Sequence, residues 1–98
     1  MTVFEQSNAE LLVRALAAID SEDVARRFIE DILTKKEIIS ISQRLRVAQM
    51  LCEDEKYAMI EKATGASSAT VVRVNQCIRY GAGGYRAVLD RLEDDRDE

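Results

Sequence analysis

Apolar residues recur along this chain at spacings of three and four, and polar or glycine-containing breaks divide them into six stretches. That spacing lines one face of an α-helix. Leu12, Leu16 and Ile19, with Ala9 and Ala15, share a stripe that predicts a first helix ending near Asp20, capped by Ser7 or Asn8. The residues ahead of it are expected to fray. Ser21 suits the cap of a second helix, with Glu22 and Asp23 in the first turn, where the helix dipole favours acids. Val24, Phe28 and Ile32, spaced by four, define its buried face. Thr34-Lys35-Lys36-Glu37 has the spacing of a capping box and opens the longest helix, Lys35 to Glu53.

That long helix carries two apolar stripes. Ile38, Ile41, Leu45, Ala48 and Cys52 form one, and Ile39, Val47 and Met50 lie beside it. A helix apolar over so wide an arc must be covered on more than one side. It reads as a central pillar, and a single small chain has little with which to cover it. The pattern therefore favours a homodimer.

After the polar break Glu53-Asp54-Glu55-Lys56, the stretch from Tyr57 to Tyr80 reads as helix, tight turn, helix. Ala58, Met59, Ile60 and Ala63 supply the first helix, and Gly65 permits the left-handed turn that other residues resist. Ser67 and Ser68 are N-cap types, and Val71, Val74 and Ile78 mark one face of the second helix. Glycine between two short amphipathic helices is the mark of a helix-turn-helix. The motif's pattern wants apolar residues at Ile60, Ala66, Val71 and Val74, and glycine at Gly65, and all five fit. It prefers alanine where Glu61 stands and an apolar residue where Thr64 stands. A plain helical hairpin is the alternative. Gly81-Ala82-Gly83-Gly84 then reverses the chain, and Tyr85, Val88, Leu89 and Leu92 predict a last helix of about three turns. The acidic tail, residues 93–98, is expected to be solvated and disordered.

Charge adds to this picture through its distribution. The 98 residues sum to −4, but residues 56–86 hold five basic side chains (Lys56, Lys62, Arg73, Arg79, Arg86) against Glu61 alone. The basic segment coincides with the helix-turn-helix candidate, as a phosphate-facing surface requires. Chance clustering in a short window is the bland alternative. The length fits one domain, 1–98, and sparse β-branched and aromatic runs indicate an all-α fold. No apolar run is long enough to span a membrane, and the opening MTVFEQSNAE lacks the basic region of a signal peptide. Cys52 and Cys77 are far apart and there is no histidine, so no metal or other cofactor is expected, and two reduced thiols suit a cytoplasmic location. Without histidine or a clustered nucleophile and base, an enzyme is the least favoured class.

The order of parts resembles the Trp repressor superfamily, and within it the YerC/YecD-like branch. The resemblance rests on Leu33-Thr34-x-x-Glu37, Arg44-x-Arg46 and Gly65-Ala66-x-x-Ala69-Thr70-x-x-Arg73. It covers Ile32 to Leu92 well and the first two helices loosely. It implies a six-helix fold in an intertwined homodimer, with the helix-turn-helix units projecting as reading heads. It also implies a transcriptional regulator that binds a near-palindromic site on double-stranded DNA. Mapped position by position, reading falls on Ser67, Ser68, Ala69, Thr70 and Val72. Family phosphate contacts fall on Tyr57, Ala58 and Glu61, two uncharged and one acidic, so Lys56 or Lys62 would substitute. With Lys62 and Arg73 as cations, the DNA-binding set is Lys62, Ser67, Ser68, Ala69, Thr70, Val72 and Arg73.

The same resemblance implies a pocket for a small effector. Its two arginines are present as Arg44 and Arg73, and its threonine as Thr34. The family's glycine is Val74 here and its serine is Cys77. A branched side chain intrudes on the ring space, and a thiol is a poor hydrogen-bond partner. The candidate pocket is therefore Thr34, Arg44, Arg73 and Cys77, with an effector other than L-tryptophan, or with none. The rival reading from another class is a helical dimeric protein-interaction module that keeps the fold without specific DNA binding.

Overall fold

The computed structural model describes residues 8–97. They form six α-helices: α1 (Ala9–Ala18), α2 (Glu22–Ile32), α3 (Lys35–Cys52), α4 (Tyr57–Thr64), α5 (Ser68–Tyr80) and α6 (Gly84–Asp97), with no strand among the described residues. Contacts divide the chain into two compact units, Met1–Lys35 and Lys36–Glu98.

The first unit contains α1 and α2. Asn8 is the N-cap of α1 but makes no side-chain capping bond, and the helix ends at Ala18, with Ile19 extended, rather than near Asp20. The alternative cap Ser7 and the expected frayed start lie outside the described residues. Ser21 caps α2 as expected, its hydroxyl accepting from the Val24 amide at 3.2 Å. Neither helix has a buried residue. The expected buried face of α2 is a correction within one chain: Phe28 is half-buried, but Val24 and Ile32 are exposed. Two short helices have too little surface to cover both of their apolar stripes.

In the second unit, α3 is covered only over its C-terminal part. Val47, Ala48 and Met50 are buried, while Ile39 is 69% exposed and Ile41 and Leu45 remain open. The helix ends in a Schellman turn, in which the Glu55 amide donates to the Met50 carbonyl and the Asp54 amide to that of Leu51. Asp54 takes the left-handed conformation this requires, with φ of 60°. Ile60 from α4, Ala66 from the turn, Val71 and Val74 from α5 and Leu89 from α6 complete one core with α3. Leu51, Cys52, Ile78 and Tyr85 pack around it. Burying aliphatic side chains of this size stabilises by about 1.5–3 kcal/mol each, so this core fixes the angle between α4 and α5.

The expected last helix forms, with Leu89 and Tyr85 facing the core and Val88 and Leu92 exposed, and one expectation at the C-terminal end needs correction. The tail is not irregular through 93–97, because α6 continues to Asp97. Once a helix is nucleated, each further residue adds a backbone hydrogen bond at small cost.

Candidate nucleic-acid interface

The local geometry of α4 and α5 follows from the turn between them. Gly65 has φ of 73°, in the left-handed region, and its amide donates to the Glu61 carbonyl. Thr64, where the motif prefers an apolar residue, is accommodated by hydrogen bonding. Its hydroxyl donates to the Ile60 carbonyl at 2.7 Å and accepts from the Ala66 amide at 3.1 Å. The Gln43 side-chain amide donates to the Thr64 carbonyl, which ties the turn to α3. Ser67 is the N-cap of α5, its Oγ accepting from the Thr70 amide at 3.1 Å and lying 3.0 Å from the Thr70 hydroxyl. Of the two serines suited to capping, Ser67 takes the role. Ser68 is the first helical residue, and its hydroxyl donates to Glu61 Oε1 at 2.6 Å.

The residues assigned to DNA contact from the sequence lie together on this corner. Ser67, Ser68 and Ala69 at the start of α5 are exposed, Thr70 is half-buried, and Val72 and Arg73 are exposed one turn further on. Lys62 is exposed on α4. The buried residues Val71 and Val74 alternate with them, so the core face and the outer face of α5 are separate. The first amides of a helix lack intrahelical acceptors and point outward, where they can meet an anion.

Beside this corner is a cavity of about 320 Å³ lined by Ser40, Gln43, Arg44, Thr70, Arg73, Val74, Cys77 and Tyr85. The structure thus brings together three of the four effector-pocket candidates, Arg44, Arg73 and Cys77. Thr34 does not line the cavity. Neither arginine forms an ion pair among the described residues. Val74 lines the cavity while only 2% exposed, so it is part of the core and of the cavity wall at once. Sequence reasoning missed Ser40, Gln43 and Tyr85 as lining residues. Ser40 stands one helical turn before Arg44 and was detectable by that spacing; Tyr85 comes from α6 and no local spacing points to it. Cys77 is exposed, Cys52 is half-buried, and both are free thiols. Among the described residues no cluster of acids and cysteines could hold a metal ion, and no helix is long and apolar enough to cross a membrane.

Comparison with known proteins assigns the fold. The Trp repressor protein family matches residues 7–93. The chain belongs to the Trp repressor family. Within this family it is similar to the uncharacterised protein YerC of Bacillus subtilis (strain 168), at 40% identity over 87 residues, spanning 89% of this chain and 84% of the relative. Two solved structures of the Trp repressor type are similar throughout. One is a TrpR-like protein from Eubacterium eligens ATCC 27750, 44% identical with a TM-score of 0.80 over 89% of this chain and 91% of the other. The second is a Staphylococcus aureus protein provisionally called a Trp repressor, 36% identical with a TM-score of 0.82 over 95% of each chain. The resemblance read from the sequence is therefore correct, the all-α six-helix architecture is that of the Trp repressor family, and the coarse class the family points to is a DNA-binding regulator.

Proposed function

We propose that this protein is a sequence-specific transcriptional regulator that binds a near-palindromic site on double-stranded DNA as a homodimer. The observation that carries the reading is the helix-turn-helix corner. Ile60, Ala66, Val71 and Val74 are buried beneath it, and Ser67, Ser68, Ala69, Val72 and Arg73 present their side chains outward, with Thr70 half-buried among them. A face of hydroxyls, a methyl and a small aliphatic group suits a major groove, where hydroxyls bond base edges or phosphates and Ala69 or Val72 can contact a thymine methyl. Lys62 and Arg73 supply the nearby positive charge. On this reading the protein works in the cytoplasm, as a regulator does where the genome is not enclosed by a nucleus.

Homodimer formation is supported by the apolar side chains that one chain leaves open on α1, α2 and the first half of α3, among them Leu11, Leu16, Ile32 and Ile39. A two-fold dimer presents two equivalent reading heads, which makes each half-site mirror the other, with centres about one helical turn apart. The cavity framed by Arg44 and Arg73 is proposed as the place for any small effector, one other than L-tryptophan. Selection of bound fragments from a random DNA pool tests the function. A near-palindromic consensus is the expected result, and recovery of no consensus would overturn the reading in favour of a protein-interaction module.

A further inference from the structure

The cavity beside the reading corner carries charge that nothing in its wall balances. Two guanidinium groups line it, Arg44 from α3 and Arg73 from α5, and no carboxylate does. Neither arginine forms an ion pair among the described residues, and no acid stands three or four places from either along its helix. Two like charges lining one small space repel each other. A ligand with two negative charges offsets that repulsion, whereas a single carboxylate leaves one guanidinium without a counter-charge. The rest of the wall is mostly polar, with the hydroxyls of Ser40, Thr70 and Tyr85 and the side-chain amide of Gln43. The Gln43 amide nitrogen donates to the Thr64 carbonyl, which leaves the amide oxygen as an acceptor.

At about 320 Å³ the cavity is at the small end of ligand sites, which run from about 300 to 1,000 Å³, so its occupant is small. A phosphate monoester has the required charge, roughly two negative charges at neutral pH spread over three acceptor oxygens. Guanidinium groups bind such a phosphate through paired N–H donors. Hydroxyl groups on the same molecule match the hydroxyls and the amide oxygen of the wall. Thr70 and Arg73 line the cavity and also belong to the residues assigned to DNA contact. Occupant and DNA therefore draw on the same side chains. Resting on the DNA-binding reading above, we propose that the cavity binds a small polyhydroxylated phosphate monoester, a sugar phosphate in class, and that its binding weakens the hold on DNA. The bound phosphate takes the Arg73 guanidinium that would otherwise neutralise a DNA phosphate, and it adds negative charge beside the start of α5. The coupling is reciprocal, so bound DNA weakens the ester by the same factor.

Glucose 6-phosphate and glycerol 3-phosphate are the probes, with inorganic phosphate for the anion alone and glucose for the hydroxyls alone. Titration calorimetry on the full chain without DNA should show saturable, sub-millimolar binding of at least one ester, weaker binding of inorganic phosphate and none of glucose. Arg44→Gln and Arg73→Gln, each shown to be folded by circular dichroism, should bind that ester about ten- to hundredfold more weakly. On a site selected from a random DNA pool, a saturating concentration of the ester should lower affinity about five- to hundredfold relative to sodium chloride of equal ionic strength. The Arg44→Gln complex with DNA should lose that response. No saturable heat from either ester at millimolar concentration would overturn the proposal, as would equal binding by the wild type and both arginine variants. DNA affinity left unchanged or raised by the bound ester would overturn the antagonism. Calorimetry without DNA keeps the two readings apart: a protein that binds the ester and selects no DNA site would overturn the DNA-binding reading, and the antagonism with it, while supporting the ester site.

Discussion

Val74 belongs to two surfaces. It is buried against α3 in the core, and it forms part of the wall of the cavity between Arg44 and Arg73. A flat ring placed between those guanidinium groups would meet its branched side chain, and overfilling a tight site costs about 1–3 kcal/mol. Cys77 in the same wall is a weak hydrogen-bond partner. Titration calorimetry with millimolar L-tryptophan should therefore show no saturable heat, and DNA affinity should be unaffected by it. The double variant Val74→Gly with Cys77→Ser should gain binding if Val74 is what fills the space. It will also be less stable, since it loses a buried side chain and places glycine inside a helix, at about 1 kcal/mol for the glycine alone, so its fold is checked first. Micromolar binding by the wild type would contradict this account of the cavity. The sequence identified Val74 as a core position of the motif and as an obstruction in the family pocket; that one side chain does both was visible only with α3, α5 and α6 in place.

The α4–turn–α5 unit is where sequence and structure agree most closely. Gly65 has the left-handed backbone that its place between two amphipathic helices required, and Ile60, Ala66, Val71 and Val74 are all buried. Ser67→Ala removes the cap on the Thr70 amide and should lower stability by about 1 kcal/mol in a urea melt. Lys62→Ala lies on the outer face of α4 and should leave stability unchanged. It should weaken binding to all DNA sequences alike, and reduce the salt slope by about one unit. A sequence-dependent loss would place Lys62 on a base instead of a phosphate. Other element-level features were not legible from spacing. The Schellman turn depends on Asp54 taking φ of 60°, which its residue type permits but does not require. The length of α6 was underestimated because residues 93–97 have the charge pattern of a solvated tail yet continue a helix already nucleated at Gly84. The expected buried face of α2 failed because periodicity shows which side is apolar, without saying whether the same chain covers it.

For the whole molecule, that uncovered surface is the main feature. Leu11, Leu12 and Leu16 of α1, Ile29 and Ile32 of α2, and Ile39, Ile41 and Leu45 of α3 are exposed in the single chain. Exposed apolar side chains in such number mark association surfaces more often than ordinary monomer exterior. The double stripe on α3 already indicated this from the sequence. Sedimentation at low concentration should find a dimer and no folded species of single-chain mass. Leu45 is 38% exposed in one chain, so Leu45→Glu would be mild in a monomer. In a dimer that buries it, an unpaired charge costs several kcal/mol, and assembly should be lost. A Leu45→Glu variant with the mass and melting behaviour of the wild type would contradict the dimer.

The central claim is that the corner formed by α4 and α5 binds DNA specifically, and equilibrium binding across a salt series tests it most directly. Association is measured for the selected site and for a scrambled duplex of the same composition, from low to physiological ionic strength. The account predicts that log K falls linearly with log salt for both, with a slope steeper than about −3 for a dimer that neutralises several phosphates. It also predicts that the selected site keeps an advantage of at least about a thousandfold over the scrambled one. Weak binding with no salt dependence, or equal affinity for the two duplexes at every salt concentration, would contradict it.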